Sequence, residues 1–312
     1  MYEYTWYQWI LIFYIYCFFG WIFESTYVSL KERHFVNRGF LRLPMLPLYG
    51  TGAVMMLWVS LPLRHNLILV YLAGLVAATL LEYVTGWAME RLFRIRYWDY
   101  TPKPFNVNGY ICLSSSLAWG VLTVLLTEVL QPAIDRLVLA FSPTVSLTIL
   151  CVVSVLFVAD TVGSVKAALD LAKVLDTMTR MRAELDDIQV QMALLKTETS
   201  QRINEVKEET AQRFDRFKEQ AAAKTAKRVT ELVGNTSEHM ETLVETAAGH
   251  VSKTAERLEV LSNRLSSLTE RRRQLLSHLN FYHRSLLNGN PTAYSVKFGE
   301  ALRELKDRAK RR

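Results

Sequence analysis

The chain has 312 residues, half of them hydrophobic, with a formal net charge of +7 and three cysteines. The charge is divided unevenly: residues 1–165 carry 10 basic and 9 acidic residues, residues 166–312 carry 27 and 21. That division excludes a single water-soluble globular domain, and three cysteines in or beside apolar stretches give no disulfide framework or thiolate metal site.

Five apolar segments, near 6–29, 44–62, 67–90, 111–130 and 144–165, approach the roughly 20 helical residues that cross a hydrocarbon core. The first lacks a basic leader and holds Trp6, Trp9 and Trp21, so it is expected to stay in the protein rather than be cleaved. The second begins among Pro44, Pro47, Gly50 and Gly52, which allows a kink or a partly re-entrant course. Lys31, Arg33, Arg38 and Arg42 follow segment one, and Arg91, Arg94, Arg96 and Lys103 follow segment three, against Arg64 and Arg136 on the opposite loops. This asymmetry predicts an N-terminus outside, with both basic loops and the whole charged tail in the cytoplasm.

The membrane half, residues 1–165, contains a duplication. Gly20, Trp21 and Glu24 recur as Gly86, Trp87 and Glu90, 66 residues later. Gly39-Phe40-Leu41 and Tyr49-Gly50 recur as Gly109-Tyr110-Ile111 and Trp119-Gly120, 70 residues later, and Pro62 is matched by Pro132. Two copies of one helical hairpin, about 6–62 and 67–132, account for the order and spacing. Independent recurrence of interfacial glycine and tryptophan is the other explanation. The match to the later hairpin argues that 44–62 spans, and the fifth helix, 144–165, has no counterpart.

Carboxylates within the spans are the candidate functional groups, because charge in hydrocarbon is costly without a partner or a role. Glu24, Glu82, Glu90 and Asp160 all fall toward the predicted inner side. They either pair structurally with loop arginines or form a polar cluster that coordinates an ion or substrate. Trp98, Asp99, Tyr100, Asn106 and Asn108 of the second loop are the expected contacts of such a cluster, although rings and cations there also suit an anchor at lipid headgroups.

Beyond residue 165, Leu171, Val174, Met178, Met181, Leu185, Ile188, Met192 and Leu195 alternate three- and four-residue steps, resumed by Val251, Leu258, Leu261, Leu265 and Leu268. This predicts a coiled coil over 166–287, weakened by small residues near 221–226, with Gly234-Asn235 as the place where the chain could turn back. After an Asn288-to-Pro291 turn, residues 288–312 read as a short basic C-terminal helix.

No phosphate-binding G-x-x-x-x-G-K-[ST] loop, nucleophile elbow or metal spacing is present; His278 and His283, five apart, do not share a helix face. The expectation is a protein that is not an enzyme and takes no cofactor, metal or nucleic acid. G-W-I-F-E-S at 20–25, N-R-G-F-L at 37–41, L-P-L-Y-G at 46–50, L-E-Y-V-T-G-W-A-M-E at 81–90 and Y-W-D-Y-T-P-K-P-F-N-V-N-G-Y-I-C-L-S-S-S-L-A-W-G at 97–120 resemble the bacterial family called putative ABC-transporter type IV, over about residues 8–160. The resemblance implies a permease or transporter subunit of the bacterial cytoplasmic membrane whose ATPase is a separate chain; it brings no agreed substrate residues. A membrane scaffold that organises partners or oligomers through its cytoplasmic coiled coil is the alternative. A membrane enzyme acting on lipid headgroups through Asp99 or Glu82 is more distant.

Overall fold

The computed structural model describes residues 4–222, 226–277 and 279–310, and the chain is all-α apart from one small ribbon. Helix α1 spans Trp6–Glu32, and Thr5 before it donates its amide to Gln8 Oε1 at 2.8 Å. Helix α2, Pro47–Ser60, starts on a proline whose missing N–H would have had no helical partner, and a 3-10 turn at Leu61–Leu63 ends it at Pro62. Asn66 then caps α3, Leu67–Phe93, accepting from the amides of Ile68 and Leu69. The loop beyond α3 carries strands β1 (Asn106–Val107) and β2 (Ile111–Cys112), paired antiparallel, before α4 at Leu113–Leu125.

Helix α4 runs through a π turn, Leu126–Leu130, directly into α5, Gln131–Ala140. Pro132 therefore does not end its helix as Pro62 does. The wider π turn just before it absorbs the missing donor, and the apolar helix continues ten residues past the expected end at 130.

Four helices are long and apolar enough to cross a membrane: Trp6–Glu32, Leu67–Phe93, Leu113–Ala140 and Pro143–Glu219. The fifth expected span, Pro47–Leu63, is apolar but shorter; its 17 residues cover about 25 Å at ~1.5 Å per residue. Its prolines and glycines do not kink it, because the chain before Pro47 is non-helical and the helix begins there.

Two compact units divide the chain: residues 1–177 with 276–312, and residues 178–275. In the first, Ile12, Met56, Leu57, Ala78, Ile134 and Val138 form one apolar core shared by α1, α2, α3 and α5. Small residues let the helices approach: a Cβ on Gly74 would lie 2.0 Å from Thr123 Oγ1 of α4, and one on Gly20 2.4 Å from the Tyr49 side chain of α2. The first unit also contains α8 (Phe281–Gly289) and α9 (Gly299–Lys310), after which 311 and 312 lie outside the described residues.

Helix α6, Pro143–Ala222, is continuous, so the expected fifth span and the start of the tail are one helix. From Met178 onward it pairs within the second unit with α7, Ala226–Ser277, up to Leu275. Met181, Ile188 and Leu268 are buried together, flanked by Leu185, Met192, Leu261 and Leu265. Glu184 and Arg264 approach to 3.9 Å; each lies 38 residues from the facing ends, Ala222 and Ala226, the register of an antiparallel hairpin. Gly234-Asn235 is not the turn: α7 passes through it unbroken, since a glycine in a long helix costs only about 1 kcal/mol, which neighbouring turns absorb. The small residues near 221–226 lie partly outside the described residues.

Candidate functional site

The loops after α1 and α3 meet. Phe40 packs on Phe93 and Tyr97, and Arg38 donates to the Tyr97 carbonyl at 3.3 Å. The helices end alike, on Arg33 and Arg94 at φ 58° and 59°, and the matched glycines Gly39 and Gly109 both have positive φ, 136° and 74°. At Gly109 a Cβ would also stand 2.6 Å from Thr101 Oγ1, so both backbone and space require glycine. The copies differ in one respect: Glu24 lies two turns before the end of α1, Glu90 within the last turn of α3.

The C-terminal segment completes this end of the unit. Asn290 donates to the Gly39 carbonyl at 2.9 Å and accepts from Arg38 at 2.7 Å, while Arg96 and Tyr294 exchange backbone hydrogen bonds of 2.8 and 2.9 Å. Arg42 lies over the rings of Phe281 and Tyr282, 4.0 and 4.6 Å from their centres.

Between the hairpins lies a chamber of about 270 Å³, lined by Glu24, Arg38, Tyr49, Glu82, Thr85, Trp98, Tyr100, Trp119 and Asn290 among others. Glu24 accepts from Tyr49 Oη at 2.7 Å and stands 3.6 Å from Arg38. Glu82, only 5% exposed, accepts from Tyr100 Oη at 3.0 Å, Trp119 Nε1 at 2.9 Å and Ser115 Oγ at 3.3 Å. All three donors are neutral, and among the described residues no cation pairs with it. A charged Glu82 thus has hydrogen bonds but no counter-ion within an apolar bundle.

The four span acids do not share one cavity. Glu90 is 2.5 Å from Arg96 and takes a 2.6 Å hydrogen bond from Tyr110, a closed ion pair beside the loop. Asp160 accepts the amides of Arg42 and Leu43 at 2.8 and 2.9 Å, fixing the first loop against α6. These two acids hold backbone and arginine in place; Glu24 and Glu82 face the chamber.

The expected loop contacts separate likewise. Trp98 and Tyr100 line the chamber. Asp99 instead closes a turn, accepting from Thr101 N at 2.9 Å and Oγ1 at 2.5 Å. Partial burial raises its carboxyl pKa, but those hydrogen bonds outweigh it and hold the group below the usual carboxylate range. Asn106 bonds the carbonyls of Thr101 and Lys103, and Asn108 reaches Tyr83, so neither amide meets a span carboxylate. The repeat residues play packing roles: Trp21 donates to Asn37 at 2.6 Å, Gly86 faces Tyr110 and Trp98, and Trp87 is half-exposed.

Sequence reasoning passed over Arg38, Tyr49, Trp119 and Asn290 as site residues. The duplication held a signal: Tyr49 and Trp119 occupy matched positions, and each donates to a chamber acid. Asp135 was also missed. It is buried with Tyr4, Gln131 and Tyr16 in the same unit, on the stretch of α5 that continues beyond the expected segment.

Residues 11–165 match the family described as Putative ABC-transporter type IV. Through that part the chain belongs to this family. The family's region contains both hairpins, both basic loops, Asp160 and every chamber residue except Asn290. No curated protein and no solved structure matches the chain.

Proposed function

We propose that the protein is a permease subunit in which the chamber between the hairpins receives the transported compound and Glu82 is the group it contacts. The observation that carries this reading is a deeply buried carboxylate, supported by three neutral donors and facing a cavity, in a bundle where ionisable groups are costly. A purely structural acid finds a cation or backbone amides, as Glu90 and Asp160 do. With no phosphate-binding loop in the chain, energy for transport would come from a separate ATPase subunit. The basic loops orient the protein in the bacterial cytoplasmic membrane with its N-terminus outside and residues 178–275 in the cytoplasm.

The test is Glu82→Gln in a strain deleted for the gene. The expected result is protein inserted at normal abundance that fails to restore the wild-type phenotype, because the amide keeps shape and removes charge. Loss of the variant from the membrane, or full complementation, sinks the assignment.

One observation favours a second reading. The α6–α7 hairpin of residues 178–275 is a separate unit with a narrow apolar seam, which suits a tether or an oligomerising coiled coil. Purification of the full chain in mild detergent separates the two. A co-purifying ATPase supports the permease; a partner held through this hairpin with no ATPase supports the tether.

A further inference from the structure

A second cavity, of about 430 Å³, adjoins the chamber and shares Leu48, Tyr49, Glu82 and Trp119 with it. Its volume falls in the ~300–1,000 Å³ range of small-molecule sites, and its other walls are almost entirely apolar. Phe19 and Phe23 of α1 are 50% and 65% exposed, and Leu122 and Leu125 of α4 are each 42% exposed. Because these residues also line the cavity, it opens onto the outer apolar surface between two helices long enough to cross a membrane.

We infer that the two cavities form one site for an amine-headed bilayer lipid, with its tail in the apolar cleft and its ammonium against Glu82. This deepens the permease reading and rests on it. Three observations converge on the occupant. The cleft mouth faces the region where lipid lies rather than water, and Glu82 stands where the apolar and polar compartments join. The charges lining the chamber are Glu24, Glu82 and Arg38, and Arg38 is already engaged by Glu24, Asn290 and backbone carbonyls. An ammonium supplies the counter-charge that Glu82 lacks and forms a charge-assisted hydrogen bond. An anionic head would meet two carboxylates, and a neutral head would leave Glu82 as it is.

The experiment uses the full-length protein in phosphatidylglycerol nanodiscs and an alkyl amine with a photoactivatable diazirine in its chain, compared with the matching alcohol and carboxylate. The amine is expected to label peptides of α1 and α4 around Phe19–Phe23 and Leu122–Leu125 saturably, and phosphatidylethanolamine doped into the disc is expected to compete. Glu82→Gln should lower that labelling about tenfold or more. Gly52→Leu should lower it too with the charges intact, because a Cβ there meets nothing closer than Leu81 at 3.7 Å and the added side chain fills the cleft. Equal labelling by amine and alcohol, labelling indifferent to Glu82→Gln, or competition by sodium ions at matched ionic strength overturns the lipid site. If Glu82→Gln still fails to complement, such a result leaves the permease reading standing. Complementation by Glu82→Gln with amine labelling lost removes the permease reading and keeps the lipid site.

Discussion

Single residues here separate packing from function by what their nearest atoms are. Gly74 and Gly52 are both buried helix glycines, yet a Cβ would clash with Thr123 at 2.0 Å in one case and make ordinary contact at 3.7 Å in the other. Gly74→Ala should therefore force α3 from α4 and cost about 1–3 kcal/mol, while Gly52→Ala should be nearly neutral. Thermal unfolding in detergent, tracked by exposure of native tryptophans, gives the comparison, and equal midpoints would show that the α3–α4 contact is soft. His283 offers a pH test. Burial pushes its imidazole below the ordinary 6.5, with Asp170 and the Ala167 backbone opposing only in part. The folded state then resists a proton that the unfolded chain accepts. Stability is complete above about pH 6.5 and declines as pH falls below that value. His283→Phe should flatten this acid slope between pH 7 and 5, as read from unfolding midpoints; an unchanged slope assigns it to other groups.

At the scale of elements, the segment between α8 and α9 acts as a clasp on both basic loops. Asn290 bridges Arg38 and the Gly39 carbonyl, and Tyr294 pairs with Arg96 through the backbone. Asn290→Ala removes buried hydrogen bonds without altering either hairpin, at a cost of about 1–3 kcal/mol. Hydrogen exchange of residues 288–298 should accelerate while the cores of α1 and α3 stay protected, and uniform acceleration would mean the clasp holds the whole bundle. The paired hairpins were legible in the sequence because Gly, Trp, Glu and Pro recur in order. The proline equivalence was only partly so. Pro62 ends its helix in a 3-10 turn, whereas a π turn carries the chain past Pro132, a difference of backbone hydrogen bonding that the residue itself does not encode.

For the whole molecule, the decisive prediction is topological. In a cysteine-free background, single cysteines at Arg33, Lys103 and Gln201 should react only with reagent on the cytoplasmic side, and one at Arg64 only from outside. Labelling of position 201 from outside would reverse the orientation that loop charge dictates.

The sequence by itself determined the membrane class, the all-α architecture, the family and the identity of the costly groups, because hydrophobic length and charge are local properties that lipid reads directly. It also marked the heptad-like steps that meet in residues 178–275. Which acids act together was beyond it. Glu24, Glu82, Glu90 and Asp160 look alike along the chain, and only the loop paths give Glu90 an arginine and Asp160 two amides while leaving Glu82 to neutral donors at a cavity. Likewise Gly234-Asn235 looked like a turn, yet the pairing of α6 with α7 on either side of Ala222 and Ala226 sets the reversal elsewhere. A partner's identity depends on long-range packing, and a local signal as small as one glycine's propensity, about 1 kcal/mol, is outweighed by a seam of buried leucines and isoleucine.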